Sequence, residues 1–420
     1  MTTHIRQDYV YPMLAIVGIV CITFLLLGDE PAIETTPTQI TSCSDLEAIG
    51  SDPYNGKGLD DSYIITVNIL ECPNFTPIEG VFTGTLDGNG KSITNIKILN
   101  KKDKDKDLPT GIFRQIKSAT IKNLTIYGGE IKANRNTNQG LLAGEASGSA
   151  SDPNIISNVR IEGLKMTGDN GERTGSSGGL IGKGSNIIFD KIVMTLYSGH
   201  SMEMQQNYQA GGLMGTTAGN GPIIIKNVSV KYLNIISPEC NGYATACAVG
   251  GLIGAVFDDL NIDETAVYAK LEGKSNDVGG FFGKIGAGHC IKIKDSYADI
   301  EVKGKANDYI AGGLIGSLDS TCSILQNTYT IMDVEGSTGT VYAVIGANGS
   351  NIEGGESFFD KSIVDESGDQ ISKGYTTAEL QSPKQYPETD IQPENHYHTA
   401  WDRNIWIIES NKYPRLKNTP

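Results

Sequence analysis

Short runs of alternating apolar and polar residues, such as Val228, Val230 and Tyr232 or Ile300 and Val302, recur along the chain between glycine-rich turns. Alternation at period two predicts half-buried β-strands. The turns are near copies of one pentapeptide: Gly178-Gly179-Leu180-Ile181-Gly182 returns as Gly211-Gly212-Leu213-Met214-Gly215 and again at 250–254, 279–283 and 312–316. Looser copies stand at Gly80, Gly111, Gly140 and Ala343, so equivalent positions recur every 29 to 39 residues. A second column follows each turn, with an apolar residue, one spacer and then usually Asn or Asp. It reads Ile93-Thr94-Asn95, Ile121-Lys122-Asn123, Ile156-Ser157-Asn158, Ile188-Phe189-Asp190, Ile225-Lys226-Asn227, Ile293-Lys294-Asp295 and Leu325-Gln326-Asn327, with variants Ile262-Asp263-Glu264 and Gly354-Gly355-Glu356. Strict alternation breaks at the Asn, and Asn and Asp tolerate left-handed backbone, so a corner is expected there.

Each repeat is therefore about three short strands that cannot bury their apolar side alone. Stacking the copies solves this, and at ~4.8 Å per strand about nine rungs make a column roughly 40 Å long. The expected fold is all-β, a right-handed parallel β-helix, or β-solenoid, with a cap at each end; its hand follows from the rule for parallel crossovers. A propeller fits less well, because its four-stranded blades need ~40 to 50 residues. In a column of this kind the Asn side chains should form an amide ladder.

The repeated Gly-Gly-Leu-Ile-Gly followed by an Asn-bearing strand resembles the GLUG motif of bacterial adhesin-like surface proteins and of the non-catalytic regions of IgA-specific metallopeptidases. The resemblance runs from about residue 60 to 416, where Thr376 to Leu380, Trp401-Asp402, Trp406-Ile407 and Tyr413 to Leu416 are similar to the closing segment of such arrays. It implies a surface β-helix rather than a reaction. No His-Glu-x-x-His accompanies it, the histidines being His4, His200, His289, His396 and His398.

Ahead of the repeats, Met13 to Gly28 is apolar apart from Thr23, follows Arg6 and precedes Asp29, Glu30 and Glu34. With Tyr9 to Tyr11 extending it, the segment reads as a signal-anchor through 13–28 with the bulk of the chain outside. A cleaved signal peptide is the alternative, although neither the cleavage positions nor the residues before Cys21 fit well. A soluble core helix is the third reading. Residues 29–42 read as a stalk and 43–79 as an N-terminal cap, in which Ser44 caps a short helix answered by Glu47. The β-helix then spans 80–365 and a C-terminal capping segment 366–420.

Composition changes little in this picture. With 51 Gly, 39% hydrophobic and 20% charged residues the chain can fold, and a net charge of −15 argues against nucleic acid as a partner. Lys101 to Asp107 alternates in sign, and Asp87-Gly88-Asn89-Gly90 reads as a tight turn rather than a calcium loop.

Outside the apolar segment six cysteines remain. Cys290 and Cys322 occupy the same place in successive repeats, within disulfide reach at the rung spacing; Cys240 and Cys247 bracket one loop, and Cys43 and Cys72 lie in the cap. The expected bridges are Cys43–Cys72, Cys240–Cys247 and Cys290–Cys322, with stacked free thiols as the alternative. No metal site and no cofactor are expected. His396 and His398 alone make a poor metal pair, and no nucleophile elbow or phosphate loop is present.

The connections entering the Gly-Gly turns are longest at 168–177, 198–210 and 237–249, and insertions at one point of successive repeats emerge on one face. Arg173, His200, Tyr208 and Tyr243 are the candidate binding residues there, of types enriched at recognition surfaces. The function expected is an exported, membrane-anchored, adhesin-like module binding a surface protein or glycan. A carbohydrate-active enzyme and a structural spacer on the envelope are the alternatives.

Overall fold

The computed structural model describes residues 36–99, 108–133, 137–168, 175–195, 202–205, 209–236, 247–273, 277–304, 309–320, 322–336, 339–348, 352–386 and 401–418. The apolar segment 13–28 lies outside them, and no helix among the described residues is long and apolar enough to cross a membrane. The compact unit begins at Thr38, because Thr38–Ile40, inside the stretch read as a stalk, already pairs in parallel with Ser62–Ile65.

From there the chain is a parallel β-helix. Strands after the Gly-Gly turns form one nine-stranded sheet, from Ile78–Phe82 to Ile345–Asn348, and strands before the turns form a seven-stranded sheet. The long strands, such as Ile223–Ile236 and Ile291–Gly304, build the remaining sides. Nine rungs thus share one sheet, and seven of them have strands on all sides.

The long strands bend at the expected corner. Asn123, Asn158, Lys191, Asn227, Glu264, Asp295 and Asn327 stand in register there, and all have φ between 43° and 55°. Two expected members are displaced. In the strand Ile187–Thr195 Phe189 faces the core, so Phe189-Asp190-Lys191 is the aligned triplet and Asp190 precedes the corner. Asn95 belongs to a second corner, in register with Gly128. The amide ladder forms in segments: Asn158 Nδ2 donates to Asn123 Oδ1 at 2.8 Å and Asn123 Nδ2 to Asp87 Oδ1 at 3.0 Å. Asn227 Nδ2 reaches Asp190 Oδ1 and Asn327 Nδ2 reaches Asp295 Oδ1, each at 3.0 Å.

The glycine pair is required by close approach of rungs, since its members have no positive φ. A Cβ added to Gly212 would lie 2.2 Å from the Gly251 carbonyl oxygen, one on Gly251 2.2 Å from that of Gly280, and one on Gly280 2.1 Å from that of Gly313. The same position faces the third side across a narrow core, against Met194, Leu233 and Val267 in turn. Where it carries Leu141 instead, the residue opposite is Gly129, so one side supplies the bulk and the other the gap. Between the turn glycines Leu180, Leu213, Leu252, Phe281 and Leu314 are fully buried.

Outside, register stacks opposite charges. Lys97, Glu130, Lys165 and Glu203 follow one another in one column, with Lys97 Nζ 3.1 Å from Glu130, and Lys270 pairs with Glu301 in the same column. A slip of one rung would oppose like charges.

Both ends differ in detail from expectation. The N-terminal helix Cys43–Glu47 is capped by Ser42 rather than Ser44: the Ser42 side chain accepts from the Asp45 backbone N–H at 3.1 Å. Glu47 instead accepts the Thr76 N–H at 2.8 Å, while Leu46 plugs the core. At the other end Lys373–Tyr375 continues the long sheet, but the segment beyond lies back along its outer face. There Trp401, Trp406 and Tyr413 cover a stack of outward aromatics, with Tyr297 and Tyr329 parallel at 4.7 Å and Phe358 parallel to Trp401 at 5.6 Å. Trp406 Nε1 donates to Asp295 Oδ1 at 3.1 Å, across 111 residues of sequence. The segment read as an end cap is therefore also a side strap.

Cys43–Cys72 and Cys290–Cys322 are disulfides, with Cα separations of 5.6 and 4.9 Å, the second linking adjacent rungs. Cys247 is disulfide-bonded as well, and its expected partner Cys240 lies outside the described residues.

Two stability predictions follow from this packing. Gly251→Ala should lower unfolding free energy by about 3 kcal/mol, since the added methyl must displace backbone in the next rung. A denaturant midpoint equal to wild type would refute the close approach. Asn327→Leu, beneath the strap, should cost about 2 to 3 kcal/mol, against less than about 1 for exposed Asn158→Leu, the left-handed backbone being common to both. Equal losses in the two variants would show that burial by the strap does not strengthen the ladder.

Candidate functional site

The long connections all lead into one corner. They enter Ser176–Gly178, Gln209–Gly211 and Ala248–Gly250, which are successive neighbours in the seven-stranded sheet, followed there by Asp277–Gly279 and Ile310–Gly312, with Ser176, Gln209, Ala248, Asp277 and Ile310 in register. Insertions here leave the column in a single file. The candidates Arg173, His200, Tyr208 and Tyr243 lie outside the described residues, so only the strands that carry their segments are placed. One connection is not a single loop: Met202–Gln205 is a strand paired with Leu164 to Thr167 and Leu233 to Ile236, and Met204 is buried in the core. Alternating Met and polar residues could have shown this strand, but it sits inside the long connection 198–210.

Side chains from the two sheets flanking the Gly-Gly turn meet outside it. Glu145 accepts from Asn138 Nδ2 at 2.8 Å and from Gln115 Nε2 at 2.9 Å, while Asn138 Oδ1 accepts the Ser176 N–H at 3.2 Å. Ser176 Oγ donates to Gln209 Oε1 at 2.8 Å, and further along Lys284 stands 4.0 Å from Asp277. Beside this strip a groove of about 340 Å³ is lined by Gln115, Lys117, Glu145, Lys183, Ser185 and Asn220.

Asp277 was not singled out by sequence, because one Asp before a Gly turn carries no pattern. Burial pushes its carboxyl up to about 6, against the opposing pull of Lys284. A carboxyl that stays partly protonated near neutrality can serve as a general acid. Glycoside hydrolysis needs a second carboxylate some 5 to 9.5 Å away, and among the described residues no carboxylate contributes to the shift of Asp277. The acids of the corner column do not supply one. Asp295 is buried, taken by Asn327, Trp406 and Lys294, and shielded by the strap. Among the described residues no group of three His, Cys, Asp or Glu side chains is placed to hold a metal ion.

No family model matches the chain. Endopolygalacturonase D from Aspergillus niger is 27% identical over 148 residues, which is 34% of this chain and 27% of that protein. The chain thus spans about a quarter of the length of the curated relative it matches. Among solved structures, one from Bacteroides ovatus assigned as an immunoglobulin A1 protease covers 92% of this chain and 94% of its own, at 15% identity and a TM-score of 0.46. A second, an IgA1 protease, covers 83% of this chain and 24% of its own, at 15% identity and a TM-score of 0.45.

The raised Asp277 carboxyl makes a signed prediction. A carboxyl whose folded-state value lies above its unfolded value favours folding only while protonated, so stability should fall as pH rises from about 4 to 6. Asp277→Asn should remove that loss, on the order of 2 to 3 kcal/mol, and match wild type best at the acid end. Parallel pH profiles for the two proteins would show that Asp277 is solvated.

Proposed function

We propose that this chain is an exported, envelope-anchored β-helix, wound right-handed, whose loop corner binds a surface protein or glycan. The observation that carries this reading is the stacking of the strands that receive the long connections. Residues inside the column, Met202–Gln205 among them, are committed to stacking, and the repeat pattern sets no such demand on the rest of those connections. The disulfides support export, since such bonds persist in oxidising compartments. The GLUG resemblance and the apolar segment 13–28 support a surface location.

A carbohydrate-active enzyme is a second reading. Partial similarity to a protein named for action on polygalacturonate favours it, as does Asp277. Against it, no carboxylate among the described residues acts on the Asp277 carboxyl, whose neighbour is Lys284.

The test replaces 169–174 and 237–246 each by the short connection 274–276, with Cys247→Ala to avoid a lone thiol. The folded column should persist, because shortening surface loops costs little closure entropy. Binding on a glycan array should fall by about tenfold or more, as expected when hot-spot residues are removed. Undiminished binding would place recognition on another face. Release of reducing ends from polygalacturonate, abolished by Asp277→Asn, would replace the binding reading with the enzymatic one.

A further inference from the structure

The second corner of the rung holds an outlier. Asn95, Gly128, Gly163 and Tyr232 share that register position, and all have left-handed backbone, with φ of 52°, 68°, 78° and 58°. Glycine adopts this conformation freely and asparagine tolerates it, but a bulky aromatic is strained there. Packing does not repay Tyr232, which is 65% exposed. The following rung omits the residue, with the register shifting between Val230 and Leu233, and such bulges re-aim side chains.

At the base of this projection two outward columns converge. Arg160, Val193 and Ser229 form one, and Glu162, Thr195 and Lys231 the other. Alternation with Ile192, Met194, Val228 and Val230 turns Val193 and Ser229 away from the core, yet both are buried. Ser229 Oγ has no hydrogen-bond partner among the described residues. Over this small floor stand two long cations. Arg160 Nε is paired with Glu162, and Lys231 is held below the usual lysine range by burial and by the nearby Arg160.

An exposed ring held at a strained corner, next in sequence to Lys231, with Arg160 and a buried hydroxyl on the adjoining outward column, matches a ligand with an apolar ring face and a carboxylate. We propose that Tyr232, Lys231 and Arg160 form a binding site for an acidic sugar ring, with the phenol stacking on its C–H face and the cations taking its carboxylate. The site is separate from the loop corner. Because the whole chain carries a charge of −15, the attraction is local and weakens with salt.

The experiment titrates the full chain with an oligogalacturonate and with its methyl ester, which keeps the rings and removes the charge. The acid form should bind at least about tenfold more tightly than the ester. Tyr232→Gly should weaken oligogalacturonate binding about tenfold while raising the melting temperature, since glycine relieves the backbone. Lys231→Gln should lower affinity and flatten its salt dependence, and the loop-trimmed protein should bind as wild type does. The proposal is overturned if wild type binds neither ligand or both equally, or if Tyr232→Gly binds undiminished. A fall in melting temperature alongside affinity in Tyr232→Gly would assign the ring a structural role, and loss of binding on loop trimming would return recognition to the loop corner.

Discussion

Neighbouring rungs meet at the Gly-Gly turn closely enough to exclude a Cβ, and the rest of the column is arranged around that contact. With Gly212, Gly251, Gly280 and Gly313 each set against the carbonyl of the next rung, the backbone holds one register along its length. Like then stands over like. The left-handed corners align, Asn side chains reach the rung before them, and outer-face charges such as Lys97 and Glu130 or Lys270 and Glu301 meet their opposites. Bulk is shared across the narrow core in the same way, Leu141 against Gly129 in one rung and Gly179 against Met194 in the next.

This constraint explains what the sequence made legible. A feature that every rung must repeat leaves a period, so the fold, the principal corner and the Cys290–Cys322 bridge could be read from spacing. Errors of one position arose where apolar residues run together: Ile187, Ile188 and Phe189 offer several frames, and only Phe189 facing the core selects Lys191 for the corner. Asn95 was misassigned because a second corner, shared with Gly128, Gly163 and Tyr232, uses the same left-handed backbone. The strap was not legible at all. Trp406 meets Asp295 and Asn418 meets Glu264 across 111 and 154 residues, and a contact made once has no period.

The candidate site divides along the same line. Glycines, buried leucines and corner residues are spent on stacking, so the proposed recognition falls to what interrupts the pattern. The loop corner interrupts it by insertion, Tyr232 by an extra residue, and Asp277 by placing a partly buried carboxyl where neighbouring rungs have Ala248 and Ile310. Arg173, His200, Tyr208 and Tyr243 were chosen for their residue types, which place them on insertions without specifying what surrounds them.

Register is the claim on which all of this rests, and engineered disulfides measure it directly. Lys165 lies opposite Glu203, and Glu203 opposite Asn234, on the outer face of three successive rungs. Adjacent rungs at ~4.8 Å fall within disulfide reach, whereas two rungs at about twice that distance do not. Under oxidation, Lys165→Cys with Glu203→Cys should therefore cross-link, and Lys165→Cys with Asn234→Cys should remain reduced, as read by peptide mapping. Cross-linking of the distant pair, or failure of the adjacent one in folded protein, would contradict the stacked register.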